Sequence, residues 1–264
     1  MSLFNLLLLN LALIAGIMLT LWLVSLPLRN ASIVDVFWGV GFVVIVWVTF
    51  FAAGSMSPRS LLICVLTSLW GLRLAGYLAW RNLGKGEDYR YGAMRERFGR
   101  RFPLISLFVV FWLQGLIMWL VAFPIQTAHF GAAPLGWIDA IGASVWAVGW
   151  LFESIGDLQL ARFKADPVNR GKVMDRGLWR YTRHPNYFGD FLVWWGLYCI
   201  AAVGGAWWTI FSPILMSVLL IRVSGVTLLE HSLKKNRPGY VDYVARTSPF
   251  FPWPPKRTDS LHTT

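Results

Sequence analysis

Acid is scarce in this 264-residue chain, with 13 Asp and Glu against 24 Lys and Arg, and sulfur is scarcer, with Cys64 and Cys199 the two cysteines. Both fall inside separate apolar runs without C-x-x-C spacing, so neither a thiolate metal site nor a redox pair is indicated and packing is their expected role. Histidine is thin as well. His129, His184, His231 and His262 are scattered, with no H-x-x-x-H or histidine-carboxylate spacing, and no metal is expected. No serine lies in a G-x-S-x-G elbow. The nearest approach to a phosphate-binding glycine loop, Gly39-Val40-Gly41, sits in an apolar run with no preceding strand and no third glycine, which rules out a dinucleotide fold. There is no separate basic domain or stacking platform, so nucleic acid is a poor partner.

What the chain has in abundance is grease: 56% hydrophobic residues, 16 Trp, 18 Phe and a mean hydropathy of +0.55. Uncharged runs of spanning length occur at 3–26, 31–53, 60–80, 104–126, 137–160, 187–203 and 206–224. The expectation is an all-α, polytopic membrane protein of seven transmembrane helices, one membrane-embedded domain over 1–264. The first run lacks a basic n-region and a cleavage pattern and reads as a retained helix. The turn Gly204-Gly205 leaves almost no loop, which predicts a tight hairpin. Basic residues concentrate at 81–101, 162–183 and 222–257, whereas the alternating loops at 130–135 and 204–205 carry none; Arg59 and Arg73 stand apart from this pattern. The positive-inside bias therefore predicts an outside N-terminus and a cytoplasmic C-terminus.

Topogenic charge and anionic membrane lipid account for the bias but not for the acids within the basic loops, Glu87, Asp88, Asp166 and Asp175. Polar chemistry is densest in Gly177 to Asp190, G-L-W-R-Y-T-R-H-P-N-Y-F-G-D, which mixes Arg180, Arg183, His184, Asn186 and Asp190 with Trp179, Tyr181 and Tyr187. That mixture suits a large anionic ligand with an aromatic ring. Ionisable residues at membrane depth are costly and default to function. Asp35 in the second run, Arg73 in the third, and Glu153 and Asp157 four apart in the fifth are such residues. Two readings of Asp35 stay open: an interhelical pair, for example with Arg73, or a carboxyl kept neutral by burial and able to donate a hydrogen bond.

The block from Asp157 to Pro252, with R-H-P-N-Y, Glu230 and R-P-G-Y-V-D-Y, resembles the C-terminal half of the steroid 5α-reductase family, and V-D-V-F-W-G and K-G-E-D-Y-R-Y resemble a bacterial branch of it. Sterol reductases and isoprenylcysteine carboxyl methyltransferases share part of the block. The resemblance implies an enzyme of a bacterial inner membrane that takes NADPH from the cytoplasmic side and reduces the 4,5 double bond of a 3-oxo-4-ene steroid. It assigns 1–126 mainly to substrate and 137–257 mainly to cofactor. The implied cofactor contacts are Tyr89, Arg90, Asp157, Lys164, Trp179, His184, Asn186, Tyr187, Asp190, Arg222 and Glu230, and the implied ketone carboxylate is Asp35. The family tyrosine falls on Trp70, whose indole N–H donates a hydrogen bond but is no proton source. The rival readings are a methyltransferase using S-adenosylmethionine and a non-catalytic lipid-binding or transport protein; no internal repeat favours the latter.

Overall fold

A computed structural model describes residues 1–82, 84–131, 134–223 and 239–256. These residues form helices and turns with no strand; the nearest thing to a sheet is one isolated parallel bridge, Thr182 to Ser248. Six segments are long and apolar enough to cross a membrane: α1 (Leu3–Leu28), α2 (Ile33–Ala53), α3 (Pro58–Asn82), the stretch Tyr89–Val121, which begins with α4 (Tyr89–Phe98), then α5 (Trp137–Ala165) and the stretch Pro185–Arg222, which begins with α6 (Pro185–Ala201). This is a multi-pass membrane protein. The count is six because 187–203 and 206–224, expected as separate spans, run together in helical geometry. Gly205 interrupts them at φ 95, a left-handed conformation that glycine adopts without strain. The Trp195 indole N–H donates to Ser217 Oγ at 3.2 Å across 22 residues, so the chain doubles back there.

The residues fall into two compact units, Met1–Ala140 with Leu197–Ser212, and Ile141–Gly196 with Pro213–Thr264. In the first, α2 and α3 approach backbone to backbone: a Cβ on Gly71 would lie 2.5 Å from the Gly39 carbonyl oxygen. Elsewhere in this unit polar side chains join the helices. Asn10 donates to Thr49 Oγ1 (2.8 Å) and Gln126 Oε1 (2.9 Å), all three buried. Arg59, fully buried, grips Asp139 with Nε and Nη2, both at 2.8 Å, and Nη2 also reaches the Pro134 carbonyl. This pairing explains how an arginine can sit apart from the basic loops: its charge is neutralised by a bidentate carboxylate.

In the second unit α5 and α6 run antiparallel along a seam of glycines. Gly142 faces Gly196, Gly149 faces Gly189, and Gly156 faces Pro185 and the Asn186 N–H. A Cβ on Gly196 would lie 2.6 Å from the Gly142 carbonyl oxygen, and one on Gly149 2.6 Å from that of Gly189. The repeat of seven residues returns each glycine to the same helix face after two turns, and small residues let membrane helices meet closely. A short helix, α7 (Tyr240–Arg246), and the chain after it are stitched to 179–183. Tyr243 OH donates to the Trp179 carbonyl, Thr182 Oγ1 to that of Phe250, and the Trp253 N–H to that of Tyr181.

Candidate functional site

In the first unit the site is built at the start of α2. Asp88 caps α4 by accepting from the Arg90 N–H at 3.0 Å, and its own N–H donates to Ser32 Oγ at 2.7 Å. Glu87 accepts from the Ala31 N–H (2.8 Å) and takes both ends of the Arg95 guanidinium at 2.8 and 2.9 Å. K-G-E-D is thus anchored to the residues just before Asp35. Burial pushes the Glu87 and Asp88 carboxyls up, but hydrogen bonds from Arg95 and Arg90 and from the Ala31 and Arg90 N–H groups outweigh it, and both end below the usual carboxylate range.

That anchor sets the register of α4 so that two successive residues meet one carboxylate. Arg90 Nη2 donates to Asp35 Oδ2 at 2.7 Å, and Tyr91 OH donates to Asp35 Oδ1 at 2.6 Å. Gln114 Nε2 donates in turn to the Tyr91 oxygen at 3.2 Å. The Asp35 side chain is 15% exposed and Arg90 46%, so the ion pair has a dry end and a wet end. Arg90, expected at the cofactor, bonds both Asp35 and Asp88, and the ion pair of Asp35, for which Arg73 was one candidate from sequence, is made with Arg90. Tyr89 is exposed, and Trp70 is fully buried with its ring edge-on to Phe42.

In the second unit the expected residues gather where α5 meets the start of α6. Asn186 Nδ2 donates to Asp157 Oδ1 at 3.2 Å, while Asn186 Oδ1 is buried and has no hydrogen-bond partner among the described residues. His184 is buried and its ring lies parallel to that of Tyr187, centroids 5.5 Å apart. Glu153, Asp157 and Asp190 are all buried. The Trp179 indole N–H is spent on the Gly156 carbonyl (3.0 Å), a structural bond. Lys164 and Arg222 are exposed. Glu230 lies outside the described residues. Arg183, rich in donors and next to His184, bonds the carbonyls of Val244 (3.1 Å) and Thr247 (2.6 Å).

The family described as a protein of unknown function, DUF1295, matches residues 21–247. The chain belongs to that family. The match spans both clusters of this DUF1295 protein, from Asp35 through Arg246. An uncharacterized protein of Schizosaccharomyces pombe is 26% identical over 271 residues, covering 92% of this chain and 77% of that protein. No solved structure matches.

Sequence reasoning missed Tyr91 as a partner of Asp35 and Gln114 as a partner of Tyr91, because 56 residues separate Asp35 from Tyr91 and nothing local marks the hydroxyl. The signal available was the run Glu87-Asp88 ahead of Tyr89-Arg90-Tyr91: an acid at a helix start is a cap, and a cap fixes which of the next residues face inward. Among the described residues no group of three His, Cys, Asp or Glu side chains is placed to hold a metal.

Proposed function

We propose that this DUF1295 protein is an NADPH-dependent oxidoreductase that reduces the 4,5 double bond of a 3-oxo-4-ene steroid or a sterol-like lipid of the same enone chemistry. The observation that supports it most is the Asp35 carboxylate at the start of a membrane helix with the Tyr91 hydroxyl donating to it. When bound, NADPH supplies hydride to carbon 5. The enone can accept that hydride only if charge growing on its oxygen is stabilised, and a proton-bearing oxygen in an apolar setting does this. Tyr91 supplies the hydroxyl that Trp70 lacks: its proton, donated to Asp35 Oδ1 in the free protein, turns to the ketone oxygen when the substrate arrives. Arg90 holds the carboxylate in place. The saturated ketone then forms as carbon 4 takes up a proton from water.

The second unit's residues fit the cofactor. Asn186 Oδ1 is a buried acceptor without a partner among the described residues, and a nicotinamide carboxamide carries two N–H donors. Asp157 holds the Asn186 amide in that orientation. Lys164 and Arg222 are exposed cations of the kind that suits phosphate. In this reading the reversal at Gly205 divides Pro185–Arg222 into two spans, giving seven with the N-terminus outside and the basic loops in the cytoplasm of a bacterial cell, where NADPH is found. A reporter after Thr264 is then cytoplasmic and one at Gly131 external.

The deciding experiment is NADPH oxidation by the detergent-purified chain with and without testosterone or progesterone, beside calorimetry of NADPH against Asn186→Ala and Arg222→Ala. Steroid-dependent oxidation and weakened binding in both variants are expected. No steroid-dependent turnover, with NADPH affinity unchanged in both, overturns the reading.

A further inference from the structure

One polar feature of the second unit is used by none of the above. The turn at 175–180 and the chain at 246–256 enclose an open cavity of about 490 Å³ whose walls include Asp175, Arg176, Arg180, Arg246, Thr247 and Lys256. A smaller cavity of about 300 Å³ shares Arg246, Thr247 and Lys256 with it and continues over Val244, Pro249, Trp253 and Pro254. Together they form one groove with a cationic end and an apolar end. Trp253 is 72% exposed along it.

The walls are held in place before any ligand arrives. Gly177 takes φ 58, its Leu178 neighbour's N–H donates to Gln159 Oε1 at 3.0 Å, and Trp179 is tied down by Gly156 and Tyr243, so Arg180 is left facing outward. The Lys256 N–H donates to the Arg246 carbonyl at 2.9 Å, closing the other wall. The charges are not balanced. Asp175 is bound to Arg246 at 2.5 Å, whereas the side chains of Arg176, Arg180 and Lys256 make no ion pair among the described residues. Three cations without an ion pair among the described residues repel one another around a concavity unless an anion joins them, and guanidinium groups match the oxygens of phosphate in pairs.

We propose that this groove binds a phosphate group carried on a larger molecule, with the phosphate among Arg176, Arg180 and Lys256 and the rest of the ligand along Trp253. Two sources share that chemistry: the phosphodiester of an anionic lipid headgroup and a phosphate of a dinucleotide. An exposed tryptophan beside a cationic patch is the arrangement found at a membrane surface and favours the lipid. The dinucleotide source rests on the reductase reading; the lipid source does not.

The test uses the full chain, delipidated in detergent, with phosphatidylglycerol, phosphatidylcholine, NADPH and inorganic phosphate as probes. The groove variant is Arg176→Gln/Arg180→Gln/Lys256→Gln, and Arg100→Gln/Arg101→Gln/Arg170→Gln removes the same charge elsewhere. All six residues are exposed, and an unchanged thermal melt confirms the fold. If the triple aggregates, Arg180→Gln alone is expected to weaken binding about threefold. Phosphatidylglycerol affinity at least tenfold weaker in the groove variant and within twofold in the control, with phosphatidylcholine indifferent, assigns the lipid. The same loss for NADPH assigns the dinucleotide. NADPH binding that survives the groove variant while phosphatidylglycerol binding falls leaves the reductase reading intact. If neither phosphatidylglycerol nor NADPH binding falls further in the groove variant than in the control, the groove is not a phosphate site.

Discussion

The two units hold their helices by different means. In the first, side chains bond side chains across long sequence separations: Asn10 with Thr49 and Gln126, Arg59 with Asp139, and Asp35 with Arg90 and Tyr91. Among the described residues its backbones approach closely at Gly39 with Gly71 and at Gly131 with Gly204. In the second, the helices meet at three glycine positions of α5, and Arg183, Thr182 and Tyr243 bond main-chain carbonyls. The second unit has carboxylate bonds too, Asp157 with Asn186 and Asp175 with Arg246, but its two long helices meet at glycine. The helix contacts of the first unit should therefore respond more to charge and pH, and the seam of the second to side-chain volume.

Removing Arg59 tests this most severely. Arg59→Met leaves Asp139 buried without its cation, and the expected loss is roughly 3–5 kcal/mol. Adding Asp139→Leu should restore much of it, measured as the thermal midpoint of the three proteins. A single variant as stable as wild type would mean that charge pairing does not hold the first unit.

Asp35→Leu separates chemistry from structure. Arg90 retains Asp88 at 2.9 Å in the variant, so the fold should survive. Steroid turnover should fall a hundredfold or more, about 3–4 kcal/mol, because the Tyr91 hydroxyl loses the acceptor that positions it, with NADPH affinity nearly normal because Asn186 and Asp157 belong to the second unit. Loss of thermal stability and NADPH binding together would make Asp35 a structural partner of Arg90 only. Tyr91→Phe should reproduce the turnover defect while leaving the ion pair in place.

Acid should loosen the first unit before the second. Burial lowers the His129 imidazole from its ordinary value to about 4. The unfolded chain binds that proton first, so stability is complete above pH about 6.5 and declines as pH falls toward 4, by about 3 kcal/mol at most. Glu87 and Asp88, held below the usual carboxylate range, keep their contribution down to that range and lose it as pH falls through their lowered values. Hydrogen exchange at pH 7 and pH 4.5 should show faster opening in the first unit, and His129→Phe should flatten the upper part of the profile. Equal acceleration in both units would remove the distinction.

The smallest effect belongs to the seam. Gly189→Ala places a Cβ about 2.5 Å from the Gly149 carbonyl oxygen, so α5 and α6 must separate, at a cost of roughly 1–3 kcal/mol with no change in pH dependence. A variant as stable as wild type would show that the two helices are free to move apart.

The spans were legible because membrane helices announce themselves by length and hydropathy alone. The break at 204–205 was legible from two adjacent glycines. Asp35 was legible as unusual, since a carboxylate in an apolar run is costly wherever it sits. Its partners were not, because they depend on the register of α4, which Asp88 and Glu87 fix by bonding residues more than fifty positions away. The role of Arg183 was illegible for the same reason, since only the folded chain brings the carbonyls of 244 and 247 to its guanidinium. The glycine repeat at 142, 149 and 156 was visible all along, but a spacing of seven acquires meaning only beside its mirror at 189 and 196.

The bond between Arg59 and Asp139 also has a time attached to it. The two residues are 80 positions apart, and a ribosome extends a chain by roughly 5–20 residues per second, so the arginine waits on the order of 4–16 s before its carboxylate exists. During that interval α3 carries an unpaired cation and is a poorer membrane helix than its finished form. Insertion of α3 and α5 is therefore coupled across the intervening segment: the earlier helix reaches its final depth only once the later one has been made, and a pause in synthesis between them should trap α3 at the interface, detectable by chemical labelling of a cysteine placed at Ser57.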